Sequence, residues 1–262
     1  MSFAGASRVF LTGASSGLGR ALALEWARRH RGVQLGLAAR RADALAHVAA
    51  DCERLGAVVE CHPVDVRDRA ALARAADRFA DGGLVDVVVA NAGISSGTLA
   101  GEPDDAEALE RIVGTNLLAL TDTFAAFAPG MRRAGYGTLV GIASVAGIRG
   151  LPGAGAYSAS KAAVIAWLES ARIELAAAGL RVVTIAPGYV RTPMTDGNPY
   201  PMPFLMEPAA FAERAVDAIE RGVRYATIPW QMGLVSALLR ATPRPLFDAA
   251  MRRAPRKPRA RT

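Results

Sequence analysis

The chain has almost no lysine: of its 31 basic residues only Lys161 and Lys257 are lysines, and the rest are arginines. It is also poor in cysteine, histidine and aromatic residues. Two cysteines, Cys52 and Cys61, without a pairing pattern exclude a disulfide-stapled scaffold and fit a reducing compartment, so a cytoplasmic location is expected. His30, His47 and His62 are scattered without ligand spacing, and no metal site is expected. Residues 1–8 show no charged stretch followed by an apolar core and a cleavage site, which argues against secretion. The longest apolar stretches read as too short to span a bilayer.

Net charge is missing from most of the chain as well. Residues 240–262 hold Arg240, Arg244, Arg252, Arg253, Arg256, Lys257, Arg259 and Arg261 against Asp248, which accounts for the whole formal charge of +7. Residues 1–239 are balanced. A length of 262 residues at 52% hydrophobic content suffices for one well-buried domain. The division expected is a single domain over residues 1–239 and a basic tail over 240–262.

What is present is an alternation of short β-rich runs with Ala/Leu/Arg-rich helical stretches. Strands are expected at 9–12, 33–38, 57–61, 85–90, 137–142, 181–185 and 226–229. Helices are expected at 17–29, 42–55, 70–80, 106–131, 156–178 and 209–221. This pattern is that of an α/β doubly wound (Rossmann) fold, a parallel seven-stranded sheet with helices on both faces. The stretch 189–208, carrying Pro193, Pro199, Pro201, Pro203 and Pro208, is too long for an ordinary connection and reads as a lid.

The first strand runs into Thr12-Gly13-Ala14-Ser15-Ser16-Gly17-Leu18-Gly19, after which a helix begins. Glycines let the backbone turn and approach a ligand, and the helix start offers free amides and a positive dipole end to a pyrophosphate. The strand–loop–helix context makes this a dinucleotide-binding signature and more than a structural turn. The second strand ends Leu37-Ala38-Ala39-Arg40-Arg41. An acidic residue there would accept from ribose hydroxyls and select NAD, whereas arginine pairs with the 2′-phosphate of NADP. Ala39 cannot do the first. Arg40, with Ser15 and Arg41, can do the second, so NADP(H) is expected in preference to NAD(H); the other reading of Arg40 is a helix-start residue facing water.

Lys161 follows Tyr157 by four residues. On a helix these positions share a face, and a neighbouring ammonium stabilises phenolate over phenol, lowering a pKa that is ordinarily about 10. The compact ammonium also donates to sugar hydroxyls in a way the guanidinium fork does not. Taken by itself the spacing also fits one lysine on a solvated helix face. Reducing a carbonyl places developing negative charge on its oxygen, so paired donors are needed there, and an acid must surrender a proton; Ser144 and Tyr157 suit those tasks.

With the glycine loop, Asn91-Ala92-Gly93 after the fourth strand, Asn116 in the next helix, Ser144 after the fifth strand and the Tyr157/Lys161 pair, the chain resembles the short-chain dehydrogenase/reductase family over about residues 5–230. The resemblance implies a nicotinamide-dependent oxidoreductase. It makes Tyr157 the general acid/base, Lys161 the group that lowers its pKa and binds the nicotinamide ribose, Ser144 the donor to the substrate oxygen, and Asn116 the holder of a water in the proton path. It also implies that Asp65 and Val66 lie near the adenine, that Asn91 and Gly93 shape the cleft, and that Pro187, Gly188, Val190 and Thr192 hold the nicotinamide end. Leu18 stands where the family often has isoleucine. A homo-oligomer, dimer or tetramer, built through the helices at 106–131 and 156–178 is implied too. The non-catalytic alternatives are an NADP-binding regulator and a scaffold acting through the tail.

Apolar residues in the loops around the site suggest a hydrophobic carbonyl or alcohol as substrate: Ile94, Val145, Ile148, Leu151, Tyr189 and Met194, with Met202, Phe204, Leu205 and Met206 from the lid. The charged residues in those loops are Arg149, Arg191, Asp196 and Glu207. The tail begins with Met232, Leu234, Val235, Leu238 and Leu239 and ends in clustered cations. Peripheral attachment to an anionic bilayer is one reading. The favoured one is a helix packed on the subunit or its neighbour, followed by a disordered end. No nucleic-acid partner is expected, since the tail lacks aromatic or groove-reading residues.

Overall fold

Alternation along the strands sorts the chain's apolar side chains onto two faces of one sheet, and helices cover both. The computed structural model describes residues 8–196 and 198–259; Gly197, the first seven residues and the last three, including Arg261, lie outside the described residues. In chain order the sheet and its crossovers are β1 (Arg8–Thr12), α1 (Gly17–Arg29), β2 (Gln34–Ala39), α2 (Ala42–Arg54), β3 (Val58–Pro63), α3 (Arg69–Asp81) and β4 (Val87–Ala90). They continue through α4 (Ala106–Val113), α5 (Ala119–Ala134), β5 (Gly137–Ile142), α6 (Gly155–Ala176), β6 (Leu180–Pro187), α7 (Pro208–Glu220) and β7 (Tyr225–Ile228), ending in α8 (Trp230–Ala241) and α9 (Arg244–Met251).

All seven strands are parallel in the order β3-β2-β1-β4-β5-β6-β7. Every residue of β1, β4 and β5 is buried, as strands covered on both faces require. Val9 and Leu11 of β1 join Leu22 and Trp26 of α1, Leu45 and Val48 of α2, and Phe211 and Val216 of α7. Phe10, between them in sequence, points the other way, to Leu72 and Phe79 of α3, Phe124 and Met131 of α5, and Leu168 of α6. The strand order reverses direction between β1 and β4, and loops leaving their carboxyl ends diverge there into a crevice, the usual ligand position in such sheets.

The elements expected from sequence are present with ends shifted by at most two residues, apart from the stretch 106–131. There α4 runs into a π-helical turn, Gly114–Leu118, before α5 continues to Ala134. The run Pro103–Ala134 is long and apolar enough, by length and composition, to match a membrane span, contrary to the sequence expectation. It is a core helix: half of its apolar window is buried in the fold, with Phe124, Phe127 and Met131 against the sheet.

The tail differs more. Its helical part packs on the domain, as expected, but residues 252–259 do not trail away. They return along the edge of the fold, where Gly97 N donates to Pro258 O at 3.1 Å, Gly97 and Arg259 form a parallel bridge, and Arg259 pairs with Asp105 (3.2 Å) and Glu102 (3.5 Å).

Candidate active site

A cleft of about 350 Å³ opens at the crevice between the ends of β1 and β4. Its floor is the glycine loop. Gly13 adopts φ +68°, a left-handed conformation, and a Cβ on Gly19 would lie 2.1 Å from the Gly13 carbonyl oxygen, so a side chain at Gly19 cannot be accommodated. Ser16 is the N-cap of α1 yet makes no side-chain cap, and no acidic residue stands in the first turn, which leaves the positive helix end and its amides available. The loop is fixed from the neighbouring strand: Thr12 Oγ1 accepts from the amides of Asn91 and Ala92 (both 3.1 Å), and Asn91 Nδ2 donates to Thr12 O at 2.9 Å. This donor set suits a pyrophosphate.

Around the floor stand the other residues expected at a dinucleotide: Ser15, Ser16, Gly17, Leu18, Arg40, Asp65, Val66, Asn91, Gly93, Pro187, Gly188, Val190 and Thr192, together with Tyr157 and Lys161. Arg40 and Arg41 are exposed on the rim, and Arg41 Nη2 reaches Ser15 Oγ at 3.3 Å. The hydrogen-bonded Arg67 guanidinium holds the Asp65 carboxyl below the usual range.

The catalytic candidates come from three elements. Ser144 caps the short turn after β5, its Oγ accepting from Ala146 N at 3.1 Å. Tyr157 and Lys161 lie one turn apart on α6. The phenol is pushed above its ordinary pKa by burial, and a hydrogen bond with Ser144 opposes that rise. Here the expectation of a tyrosine pKa lowered by Lys161 is not met. Burial depresses Lys161 itself to about 8, and its ammonium is turned to the main-chain oxygen of Ile142, 2.6 Å away. The groups that set the phenol's shift are its own burial and Ser144, with Lys161 not among them.

Asn116 sits in the π-helical turn, buried, behind the cleft wall. Its Oδ1 accepts from Ile94 N at 2.8 Å, and its Nδ2 donates to Ile94 O and Ser160 Oγ, both at 3.0 Å. The amide is thus committed to holding the loop after β4 against α6. Ser160, which the sequence reading passed over, completes the link by donating to Tyr157 O at 2.8 Å.

A second cavity, of about 300 Å³, adjoins the cleft, and Ser144 and Tyr157 line both. Val145, Leu151, Tyr189 and Met194 form part of its wall, as expected. Others of the expected lining are elsewhere. Ile94 faces the dinucleotide cleft, Ile148 faces a separate surface depression, Met206 is buried in the core beside α7, and Phe204 is exposed. The lid contributes Tyr200, Pro201 and Pro203 instead, because Val190 and Met206 pair as a bridge that draws the end of the lid into the core. The sequence reading also missed the contribution of the chain's end: Met232, Val235 and Leu239 of α8 and Met251, Ala254, Pro255 and Lys257 close one side.

A doubly wound sheet whose switch-point cleft meets a Ser/Tyr/Lys constellation defines a dinucleotide-binding oxidoreductase. The sequence agrees: residues 7–200 match the short chain dehydrogenase family model, and the chain belongs to the short-chain dehydrogenase/reductase family. It is 42% identical to an uncharacterized oxidoreductase of Myxococcus xanthus over 93% of this chain and 95% of that protein. Among solved structures it is similar to a short-chain dehydrogenase from Sphingobium yanoikuyae in complex with NADPH (TM-score 0.76, 29% identity, 90% of this chain and 96% of that one). It is likewise similar to a short chain dehydrogenase from Mycobacterium paratuberculosis bound to NAD (TM-score 0.76, 25% identity, 84% of this chain and 95% of that one).

Proposed function

We propose that the protein interconverts a largely apolar carbonyl compound and its alcohol, using NADP(H) in preference to NAD(H). The observation that carries this reading is the position of Ser144 and Tyr157, both on the wall shared by the dinucleotide cleft and the second cavity. A bound nicotinamide dinucleotide supplies the hydride. The chain does the rest. Glycine-loop amides take the pyrophosphate, Arg40 with Ser15 and Arg41 takes the 2′-phosphate, and Asp65 and Val66 border the adenine. Asn91 and Gly93 shape the cleft wall, while Pro187, Gly188, Val190 and Thr192 bound the nicotinamide end. Lys161 turns from Ile142 O toward ribose hydroxyls.

In the second cavity Ser144 and Tyr157 converge on the substrate oxygen, and Tyr157 passes it a proton as negative charge develops there. The raised phenol pKa keeps that proton in place until the step, and the charged Lys161 beside the ring eases its departure. Asn116 positions this apparatus through Ile94 and Ser160; a water in the proton path would have to be held by its main chain, since its amide is occupied. The Arg40 end of β2 and the absence of a carboxylate at Ala39 support the NADP preference. Exposed Trp230, Leu234 and Leu238, spaced four apart on α8, with Ile173 of α6, support self-association into a dimer or tetramer. A cytoplasmic site of action is proposed with it.

Oxidation of NADPH and of NADH is followed against a panel of hydrophobic ketones and aldehydes. NADPH-dependent turnover that falls by about 10²–10⁴-fold in Tyr157→Phe, with NADPH affinity nearly unchanged, is the expected result. Full activity in that variant would defeat the mechanism.

A further inference from the structure

Lys257, the chain's other lysine, belongs by sequence to a solvated cationic tail. The fold brings it to the wall of the second cavity. Its Nζ donates to Ser95 Oγ at 3.0 Å and to Met194 O at 3.3 Å, both neutral acceptors. The side chain is half-buried, burial lowers its pKa, and no carboxylate pairs with it among the described residues. No acidic residue lines that cavity among the described residues. The other cation in the wall, Arg149, is already engaged: it donates to Leu239 O (3.1 Å) and Thr242 O (3.0 Å) and lies 4.2 Å over the Phe247 ring.

The segment that carries Lys257 is clamped on its far side. The Gly97–Pro258 hydrogen bond and the Arg259 ion pairs with Asp105 and Glu102 hold the residues next to it. Gly97 is part of the clamp, since a Cβ there would lie 2.3 Å from the Lys257 carbonyl oxygen. The ammonium is therefore held at a fixed place on a wall that carries no acidic residue among the described residues.

We propose that Lys257 is a specificity-determining residue, and that the substrate is an apolar carbonyl compound bearing a carboxylate, which Lys257 binds. This rests on the carbonyl-reductase reading of the site. A carboxylate makes a shorter and stronger charge-assisted hydrogen bond than a hydroxyl or amide oxygen, so it displaces one of the two present acceptors. A neutral substrate leaves Lys257 on Ser95 and Met194 and gains nothing from it.

The test uses the full-length enzyme with NADPH and a homologous series of oxo acids, each beside its methyl ester, which keeps the carbonyl and the chain and removes the charge. The expected result is a wild-type preference for the acid of about tenfold or more in kcat/KM, the size of one hydrogen bond to a charged group. Lys257→Met should erase that preference, chiefly through KM for the acids. Gly97→Ala, which pushes a methyl against the Lys257 backbone and displaces the strap while keeping the lysine itself, should erase it too. Calorimetric binding of the matching saturated acids and esters to the NADP-loaded enzyme reads the same preference without turnover. Esters reduced as well as acids by the wild type would overturn the role of Lys257 and leave the reductase reading standing. Absence of all turnover, with acid binding still weakened in Lys257→Met, would overturn the reductase reading instead; acid binding unchanged in that variant would overturn the inference whatever the turnover.

Discussion

Lys161 Nζ donates to the main-chain oxygen of Ile142 at 2.6 Å, tying α6 to the end of β5 beneath the cleft. The ammonium is buried with no carboxylate paired to it among the described residues, and desolvation brings its pKa to about 8 from 10.5. The folded pKa lies below the unfolded one, so the unfolded chain takes the proton first as pH falls from 10.5 toward 8. Stability is lost across that window and stays reduced at neutral pH. Lys161→Met should therefore melt at or above the wild-type temperature at pH 7 without cofactor, while losing activity. A clear drop in melting temperature would show that the Ile142 hydrogen bond outweighs desolvation.

Among the described residues Arg40 forms no side-chain hydrogen bond or ion pair, and it faces the rim of the cleft beside Ser15 and Arg41. Arg40→Ala should raise KM for NADPH by about tenfold or more, the loss of one charge-assisted contact, with KM for NADH nearly unchanged. Steady-state kinetics with both cofactors check this. Equal changes for the two would remove Arg40 from cofactor selection.

Asn116 satisfies both main-chain polar groups of Ile94. Asn116→Leu orphans both in a part-buried setting, at about 1 kcal/mol or more each, whereas Ser160→Ala removes one acceptor from an amide that keeps Ile94 O, at about 1 kcal/mol in all. Urea denaturation should rank the variants in that order. Similar losses would mean that the link to α6, more than the hold on Ile94, is what stabilises the loop.

His62 is buried between Phe10 and Phe79, ring centroids 5.4 and 6.0 Å away. Burial lowers its pKa, with Glu60 across from Nε2 at 3.5 Å opposing and Arg78 adding to the fall. The unfolded histidine titrates near 6.5, so the stability given by the neutral ring is present above that pH and is lost as pH falls toward the lower folded pKa. Unfolding free energy between pH 7 and pH 5 should fall less steeply in His62→Phe than in the wild type. Identical slopes would show that His62 does not protonate on unfolding in this range.

The parts of the site legible in the sequence are those whose geometry is local. Gly13 to Gly19 sit between a strand and a helix and need only the backbone to form their loop. Tyr157 and Lys161 share a face because they are four apart on one helix. The uninterrupted apolar run Val9, Phe10 and Leu11 is enough to signal a strand covered on both faces. The π-helical turn at Asn116 was not legible, because an uninterrupted apolar helix pattern does not reveal a one-residue insertion that long-range hydrogen bonds to Ile94 and Ser160 stabilise.

The sequence by itself determined the order of strands and helices, the phosphate loop and the spacing of the acid and the ammonium, all properties of residues within a few positions of one another. Only the tertiary structure decided the balance of pKa values and the place of the chain's end. Burial, set by the packing of α6 on β5, lowers Lys161 and raises Tyr157. Clamping by Gly97, Glu102 and Asp105, some 150 residues earlier in sequence, turns a run of cations into a wall of the cavity. Contacts at that separation leave no periodic trace in the chain, so Lys257 reads as solvated charge until the fold is known.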